Sequence, residues 1–229
     1  MRTKRVFFSE LAYVLGVAAL ALGTALMERA DFGLSMIVAP AYLLHLKLSQ
    51  TFPAFTFGMA EYAFQAALLL VLCAVLRRGR LAYLFSFVTA VVYGLTLDGM
   101  MRLVGLLPWA GLAGRALGYL TGMGLCAVGV SLLFHTYISP EAYELFVKEL
   151  SARTGKRIHR VKTAYDCASC LVAVAMSFAF FGLWHFEGVK LGTVFCALVN
   201  GFLIGRCSAM LEAAFEFRDA LPLRGRFEQ

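Results

Sequence analysis

Glu61 and Asp166 are the two side chains of this sequence best placed to do chemistry. Each is a carboxylate about one turn inside a long apolar run. Their surroundings, "FGMAEYAFQAALLL" and "KTAYDCASCLVAVA", match at an offset of 105 residues (166 minus 61). An ionisable group inside an apolar span is costly, so one that persists pairs with a neighbour or serves a substrate, proton or ion pathway. For Glu61 and Asp166 the functional reading is contact with such a pathway, and the structural alternative is capping of a neighbouring helix. Asp98 and Arg102 stand at i,i+4 spacing and are expected to form a structural ion pair. Asn200 is the strongly polar side chain near the middle of the last apolar run. Glu61, Asp98, Asp166 and Asn200 are therefore the candidate pathway residues. Glu28 and Asp31 sit where the first run should reach water, and His135 and Arg206 mark the opposite side.

The composition says what must hold these residues. The chain of 229 residues is 61% hydrophobic and 15% charged, with mean hydropathy +0.77. Soluble domains are roughly half apolar and a quarter charged. The charges cluster between uncharged stretches long enough for a helix to cross a hydrocarbon core of ~30 Å. The reading is an all-α polytopic membrane protein in a lipid bilayer. The pI of 9.2 does not point to nucleic acid, because the basic residues follow topology. Cys73, Cys126, Cys167, Cys170, Cys196 and Cys207 all lie in or beside apolar runs and read as packing residues; Cys167 and Cys170 have CxxC spacing without a second Cys or His pair nearby. The basic, apolar N-terminus reads as a retained first span, since Glu28-Arg29-Ala30-Asp31 follows it instead of a cleavage site. Neither a Ser-His-Asp set nor a Walker loop, an HExxH motif or a dinucleotide fingerprint is present. The reading is of a protein that is not an enzyme and takes no cofactor and no metal.

Six spans are predicted: Glu10–Met27, Ala54–Leu76, Leu81–Leu107, Gly111–His135, Ala164–Phe186 and Val189–Leu211. Sixteen basic residues fall on the side of the termini, among them Arg2, Lys4, Arg5, Arg77, Arg78, Arg80, Arg157 and Arg226. Five fall on the other: Arg29, Lys47, Arg102, Arg115 and Lys190. Short basic loops stay in the cytoplasm, so both termini are expected there.

The chain also repeats. "AYVLGVAALALGTALM" aligns with "GYLTGMGLCAVGVSLL" at offset 106, pairing Gly16 with Gly122 and Gly23 with Gly129. The register holds through a turn and a short helical piece to Glu61 and Asp166. Three spans per half is an odd number, so residues 1–108 and 109–229 are predicted to be inverted-topology repeats, a design of secondary transporters. Each half is expected to carry a short re-entrant or interfacial helix: in the second, "SPEAYELFVKELSARTG" predicts a cytoplasmic amphipathic helix over about 139–154, lying on the membrane or on the surface of the bundle, with Ser139 as N-cap, Pro140 in the first turn and Gly155 past its end. Its counterpart in the first half, Met36–Leu46, is apolar nearly all round and too short to span. The segment 31–46 is predicted either to re-enter the bundle or to lie over its outer mouth as a lid, in both cases an outer gate, with Asp31 and Gly33 forming the turn and Ser35 the cap. Gly118 and Gly122 form a GxxxG pattern that suits close packing of the first and fourth spans.

Asp31-Phe32-Gly33-Leu34-Ser35, with Gly192-Thr193, Leu198, Asn200 and Gly201 in the last span, resembles motifs of the YczE/YyaS/YitT group of bacterial integral membrane proteins. Here Met36 stands where that group has proline. The resemblance implies a bacterial inner-membrane protein with a transporter-like repeat, and it names no substrate. The function expected is a small-solute secondary transporter or permease. Two other readings stay open: a substrate-binding membrane subunit like the S-components of energy-coupling-factor transporters, docking a partner through Ala18, Ala21 and Ala25, or a regulatory membrane protein. The partners expected are the bilayer and an unidentified small solute, and a homodimer is left open.

Overall fold

The computed structural model describes residues 5–77, 81–108, 111–156, 158–183, 187–222 and 224. Of the residues used above to orient the chain, Arg2, Lys4, Arg78, Arg80, Arg157 and Arg226 lie outside them, as does Phe186 at the expected end of the fifth span.

The chain runs β1 (Arg5–Phe8), α1 (Ser9–Ala30), α2 (Ala39–Leu48), α3 (Phe57–Leu76), α4 (Leu81–Gly105), α5 (Gly111–Phe134), α6 (Ala142–Thr154), α7 (Ile158–Phe181), α8 (Leu191–Ala214) and β2 (Phe215–Arg218). Six of these helices are long and apolar enough to cross a membrane: α1, α3, α4, α5, α7 and α8. They are the six spans read from the sequence, with ends shifted by a few residues. The order of a span, a short helix and two more spans occurs twice. The short parallel pairing of β1 with β2, which no sequence pattern announced, joins the two ends of the chain.

Helices α1 and α5 make the most extensive interface in the molecule, and they are the most buried spans. Glycine permits it. A Cβ on Gly23 would lie 2.6 Å from the carbonyl oxygen of Gly122, and one on Gly122 would lie 2.7 Å from that of Gly23. Likewise a Cβ on Gly129 would meet the Gly16 oxygen at 2.7 Å. Backbone meets backbone at both crossings, the close approach that small residues allow between membrane helices. Of the α1 alanines read as a docking face for a partner subunit, Ala21 and Ala25 are fully buried within the bundle and Ala18 is partly buried.

Around this seam, α4 packs on α1 and α3, and α8 packs on α5. The two halves differ in one respect. Helices α3 and α4 pack closely, with Gly58 and Gly94 in contact, whereas α7 and α8 make no comparable interface among the described residues. Those two helices are also the least buried.

Both short helices enter the bundle tip first. The carbonyls of Ser139 and Pro140 accept hydrogen bonds from Thr89 (3.0 Å) and Ser86 (2.6 Å) of α4, and the Ala142 N–H donates to Gln65 Oε1 of α3 (3.1 Å). Thr89 and Gln65 each lie more than two turns inside their helices. From that depth α6 runs back to the end of the molecule that carries the termini, where Arg153 donates to the Val75 carbonyl in the last turn of α3. Helix α2 does the converse. Residues 35–37 lie beside Cys196 and Asn200 of α8, and α2 runs to the far end, where Lys47 donates to the Phe180 carbonyl of α7 (3.3 Å).

Two expectations are corrected here. The segment over 139–154 does not simply lie on the surface: its first residues are buried at mid-bundle, because Ser86, Thr89 and Gln65 satisfy its non-helical backbone there. Nor do Ser35 and Ser139 cap their helices with their hydroxyls. The N-caps are Val38 and Glu141, and neither makes a side-chain capping bond. The Ser35 carbonyl accepts from Val38 and Ala39, so α2 starts at Ala39 and not Met36. Gly155, at φ 64°, does end α6 as the sequence suggests.

Gly23→Ala is expected to lower stability by about 1–3 kcal/mol, since its methyl would press on a backbone oxygen. Gly124→Ala, which meets nothing within 4 Å, is expected to stay within about 0.5 kcal/mol of wild type. Thermal melting of the two variants in detergent makes the comparison.

Candidate functional site

The tips of α2 and α6 meet at one cavity of about 640 Å³, within the ~300–1,000 Å³ range of small-molecule sites. Residues 35–37 form part of its wall, Thr136, Pro140 and Glu144 another, and α7 and α8 contribute Lys162, Asp166, Cys196 and Asn200. It occupies the space that the separation of α7 from α8 leaves. A narrower extension runs inward past Leu20, Thr24 and Tyr93 to Glu141 and Tyr143.

Polar groups converge on this space. Asp166 Oδ1 and Asn200 Oδ1 are buried and accept no hydrogen bond from the described residues. Lys162 pairs with Glu144 at 3.0 Å. Burial works against the Lys162 ammonium, but Glu144 and Asp166 outweigh it and hold its pKa above the usual lysine value. The cavity therefore offers a fixed cation, carboxylates and an amide beside the apolar Ile37, Leu133, Phe134 and Ile204.

At the end of the extension lies a buried polar cluster that joins α3 to the α6 tip. Gln65 donates through Nε2 to Glu61 Oε2 and to Glu141 Oε2, both at 3.3 Å, and Tyr143 donates to Glu61 Oε2 at 2.9 Å. Its orientation is determined, because Gln65 Oε1 must be the atom that accepts from the Ala142 N–H. Glu61 and Gln65 are fully buried and Glu141 is 6% exposed. Burial first, and then the carboxylates of Glu61 and Glu144, push the Glu141 carboxyl well above the usual carboxylate range. Glu61 Oε1 and Glu141 Oε1 are buried and have no hydrogen-bond partner among the described residues.

Of the four residues read as lining a pathway, Asp166 and Asn200 line the cavity, and Glu61 stands behind Glu141 and Tyr143. Asp98 belongs elsewhere. Its carboxylate accepts from Thr56 Oγ1 (2.6 Å) and the Gly58 N–H (2.8 Å), capping the start of α3. No ion pair joins it to the exposed Arg102 among the described residues: both carboxylate oxygens are taken by donors at the start of α3, Thr56 Oγ1 and the Gly58 N–H. Glu141 and Gln65 were missed. The available signal was the placement of Gln65 one turn after Glu61, and of Thr89 three residues after Ser86, as polar pairs on single faces of otherwise apolar spans.

At the far end the predicted gate residues form a latch. Asp31, at φ 60°, pairs with Arg115 of α5 (3.2 Å) and Lys190 at the start of α8 (2.5 Å). Gly33, at φ 108°, is the turn, and a Cβ there would meet Thr193 Oγ1 at 2.4 Å. The Gly192 N–H donates to the Phe32 carbonyl, and Tyr119 donates to the Gly192 carbonyl. These contacts close α1, α5 and α8 on one another. Ser35 lines the cavity beneath them. Glu28 is held by Tyr42 and His135 by Glu212, both away from the large cavity. Cys167 and Cys170 are free thiols.

Residues 7–209 match the family described as DUF6198, a family of unknown function, and the chain belongs to that family. No curated protein and no solved structure matches it.

Two outcomes follow from these geometries. Asp98→Ala is expected to cost about 1–2 kcal/mol of stability by freeing donors at the start of α3, with no change in the cavity. For Glu141, folding raises the pKa, so the folded chain binds this proton more tightly than the unfolded one. That contribution is complete below the ordinary glutamate value of about 4.3 and is lost as pH climbs toward the raised value. The melting temperature of Glu141→Gln is therefore expected to gain on wild type as pH rises; a constant difference across pH would contradict this.

Proposed function

We propose that this member of the DUF6198 family is a small-solute transporter of the bacterial inner membrane, built from two inverted halves that alternate around the central cavity. The observation that carries this reading is the meeting of the α2 and α6 tips. In transporters built from inverted repeats the solute site lies near the midplane at the repeat interface and is framed by helix ends that stop at that depth, as the α2 and α6 tips do here. The reciprocity of contacts supports the same view. Gly16 faces Gly129 and Gly23 faces Gly122, so each partner is the 106-offset counterpart of the other's (129 minus 23, 122 minus 16). A two-fold interface pairs residues in that manner. The bonds from Lys47 to Phe180 and from Arg153 to Val75 repeat the pattern: Arg153 follows Lys47 by 106 and Phe180 follows Val75 by 105.

In this reading Asp166 and Asn200 contact the solute, the Lys162–Glu144 pair sets the local field, and the Asp31 latch is the outer gate. The excess of basic residues beside the termini supports their placement in the cytoplasm. Transport of this kind involves no covalent chemistry.

The test is a thermal-shift screen of the purified protein with small amines, carboxylates, zwitterions and neutral solutes, followed by flux into proteoliposomes containing the protein alone. A bound solute at about a hundred times its Kd stabilises by about 2.7 kcal/mol. The expected result is stabilisation and flux for one chemical class, both lost in Asp166→Asn and Asn200→Ala. Stabilising solutes that never cross the bilayer would refute transport, and solutes acting equally on both variants would refute the site.

A further inference from the structure

The cluster of Glu61, Gln65, Glu141 and Tyr143 contains two buried carboxyl groups bridged by one amide nitrogen, and it lies outside the solute cavity proper. The titratable and charged groups that reach it come from every neighbouring element. They are Tyr13 of α1, Tyr93 of α4, Cys126 of α5, Glu144 and Tyr143 of α6 and Tyr165 of α7. No lysine, arginine or histidine is among them within the described residues, and Lys162 is engaged by Glu144. Two ionised carboxylates without a cation in a buried site repel each other and lack solvation, so such a pair retains a proton. Among the described residues the donors to the pair amount to three, two from the Gln65 amide and one from the Tyr143 hydroxyl, and all go to the Oε2 atoms. Glu61 Oε1 and Glu141 Oε1 are buried with no partner among the described residues, and these are the two atoms left open for a proton.

We propose that the Glu61–Glu141 pair is a proton-binding site that holds one proton while the α6 tip is seated on α3 and releases it when the tip lifts. Glu61 belongs to the first half of the chain and Glu141 to the second. Withdrawal of the tip therefore breaks the Gln65 bridge, removes the Tyr143 donor from Glu61 and brings both carboxyls to water. The proton passes to a water molecule or buffer base in the cavity, leaving two hydrated carboxylates. Reseating takes one proton back.

The other half has no such site. The counterparts of Glu141 and Tyr143 at offset 106 are Ser35 and Ile37, and the counterpart of Gln65 at offset 105 is Cys170. Asp166, the counterpart of Glu61, faces the open cavity instead. The proposed proton site thus forms where the α6 tip meets the half whose span pair is closed. That this proton is the coupling ion of transport rests on the function proposed above; the site itself does not.

The experiment uses the full-length protein in lipid nanodiscs, with protons and deuterium oxide as the only probes. Infrared spectra taken across a pH titration are expected to show the carbonyl stretch of a protonated, buried carboxylic acid persisting at neutral pH. Glu61→Gln and Glu141→Gln should each abolish its titration. Tyr143→Phe, which keeps the volume and removes one donor, should shift the frequency of the band. In parallel, amide exchange of residues 139–146, normalised to α1 in the same sample, should accelerate several-fold as pH rises in wild type and stay flat in Glu141→Gln. A band that titrates identically in all three variants, or an α6 tip whose exchange keeps its pH dependence in Glu141→Gln, would overturn the proposal. Neither readout needs a solute, so loss of the proton site leaves transport standing, and absence of flux leaves the proton site standing.

Discussion

The structure depends on the approach of α1 to α5 at glycine. At Gly23 and Gly122 there is no room for a single methyl group, and the helices consequently touch through their backbones over much of their length. In lipid, where apolar side chains gain little by leaving their surroundings, this contact of main chains is one of the few strong sources of association. It also settles what lies around it. With α1 and α5 together at the centre, the remaining spans are peripheral, and the tips of α2 and α6 have only the space beside the seam to enter.

Re-entry carries a second requirement, that non-helical backbone at depth find partners. The α6 tip meets it through Ser86, Thr89 and Gln65. The α2 tip meets it with its own Ser35 carbonyl and, higher up, with backbone bonds from Leu34 to Gly188 and from Gly192 to Phe32. One tip is bound by side chains of the other half and the other by main chain near the surface. The half with side-chain partners is the closed one, and the cavity lies in the other.

Much of the architecture was legible in the sequence because apolar length and charge placement act locally. The six spans, the turn at Gly33, the end of α6 at Gly155 and the tight lead helices all follow from short-range rules. The α6 tip was not legible. Pro140 followed by Glu141 reads as the water-exposed first turn of an amphipathic helix, and nothing within several residues says that α3 offers an amide to it. Asp98 misled for the same reason: Arg102 is its nearest partner along the chain, while Thr56 and Gly58 are nearest in space. Asp166 and Asn200, which line the cavity, were legible because a polar group inside an apolar span stands out whatever surrounds it.

The ribbon of β1 and β2 has a mechanical meaning. Glu10 at the base of α1 accepts hydrogen bonds from the Ala220 and Leu221 N–H groups, so the tail beyond α8 is fastened to the first helix as well as paired with the first strand. The chain is in effect a closed ring, stitched once by the covalent link between α4 and α5 at one face of the bundle and once by this ribbon at the other. The ribbon is therefore a strap: the end of α8 cannot swing away from the base of α1 without peeling apart four paired residues and the two bonds to Glu10.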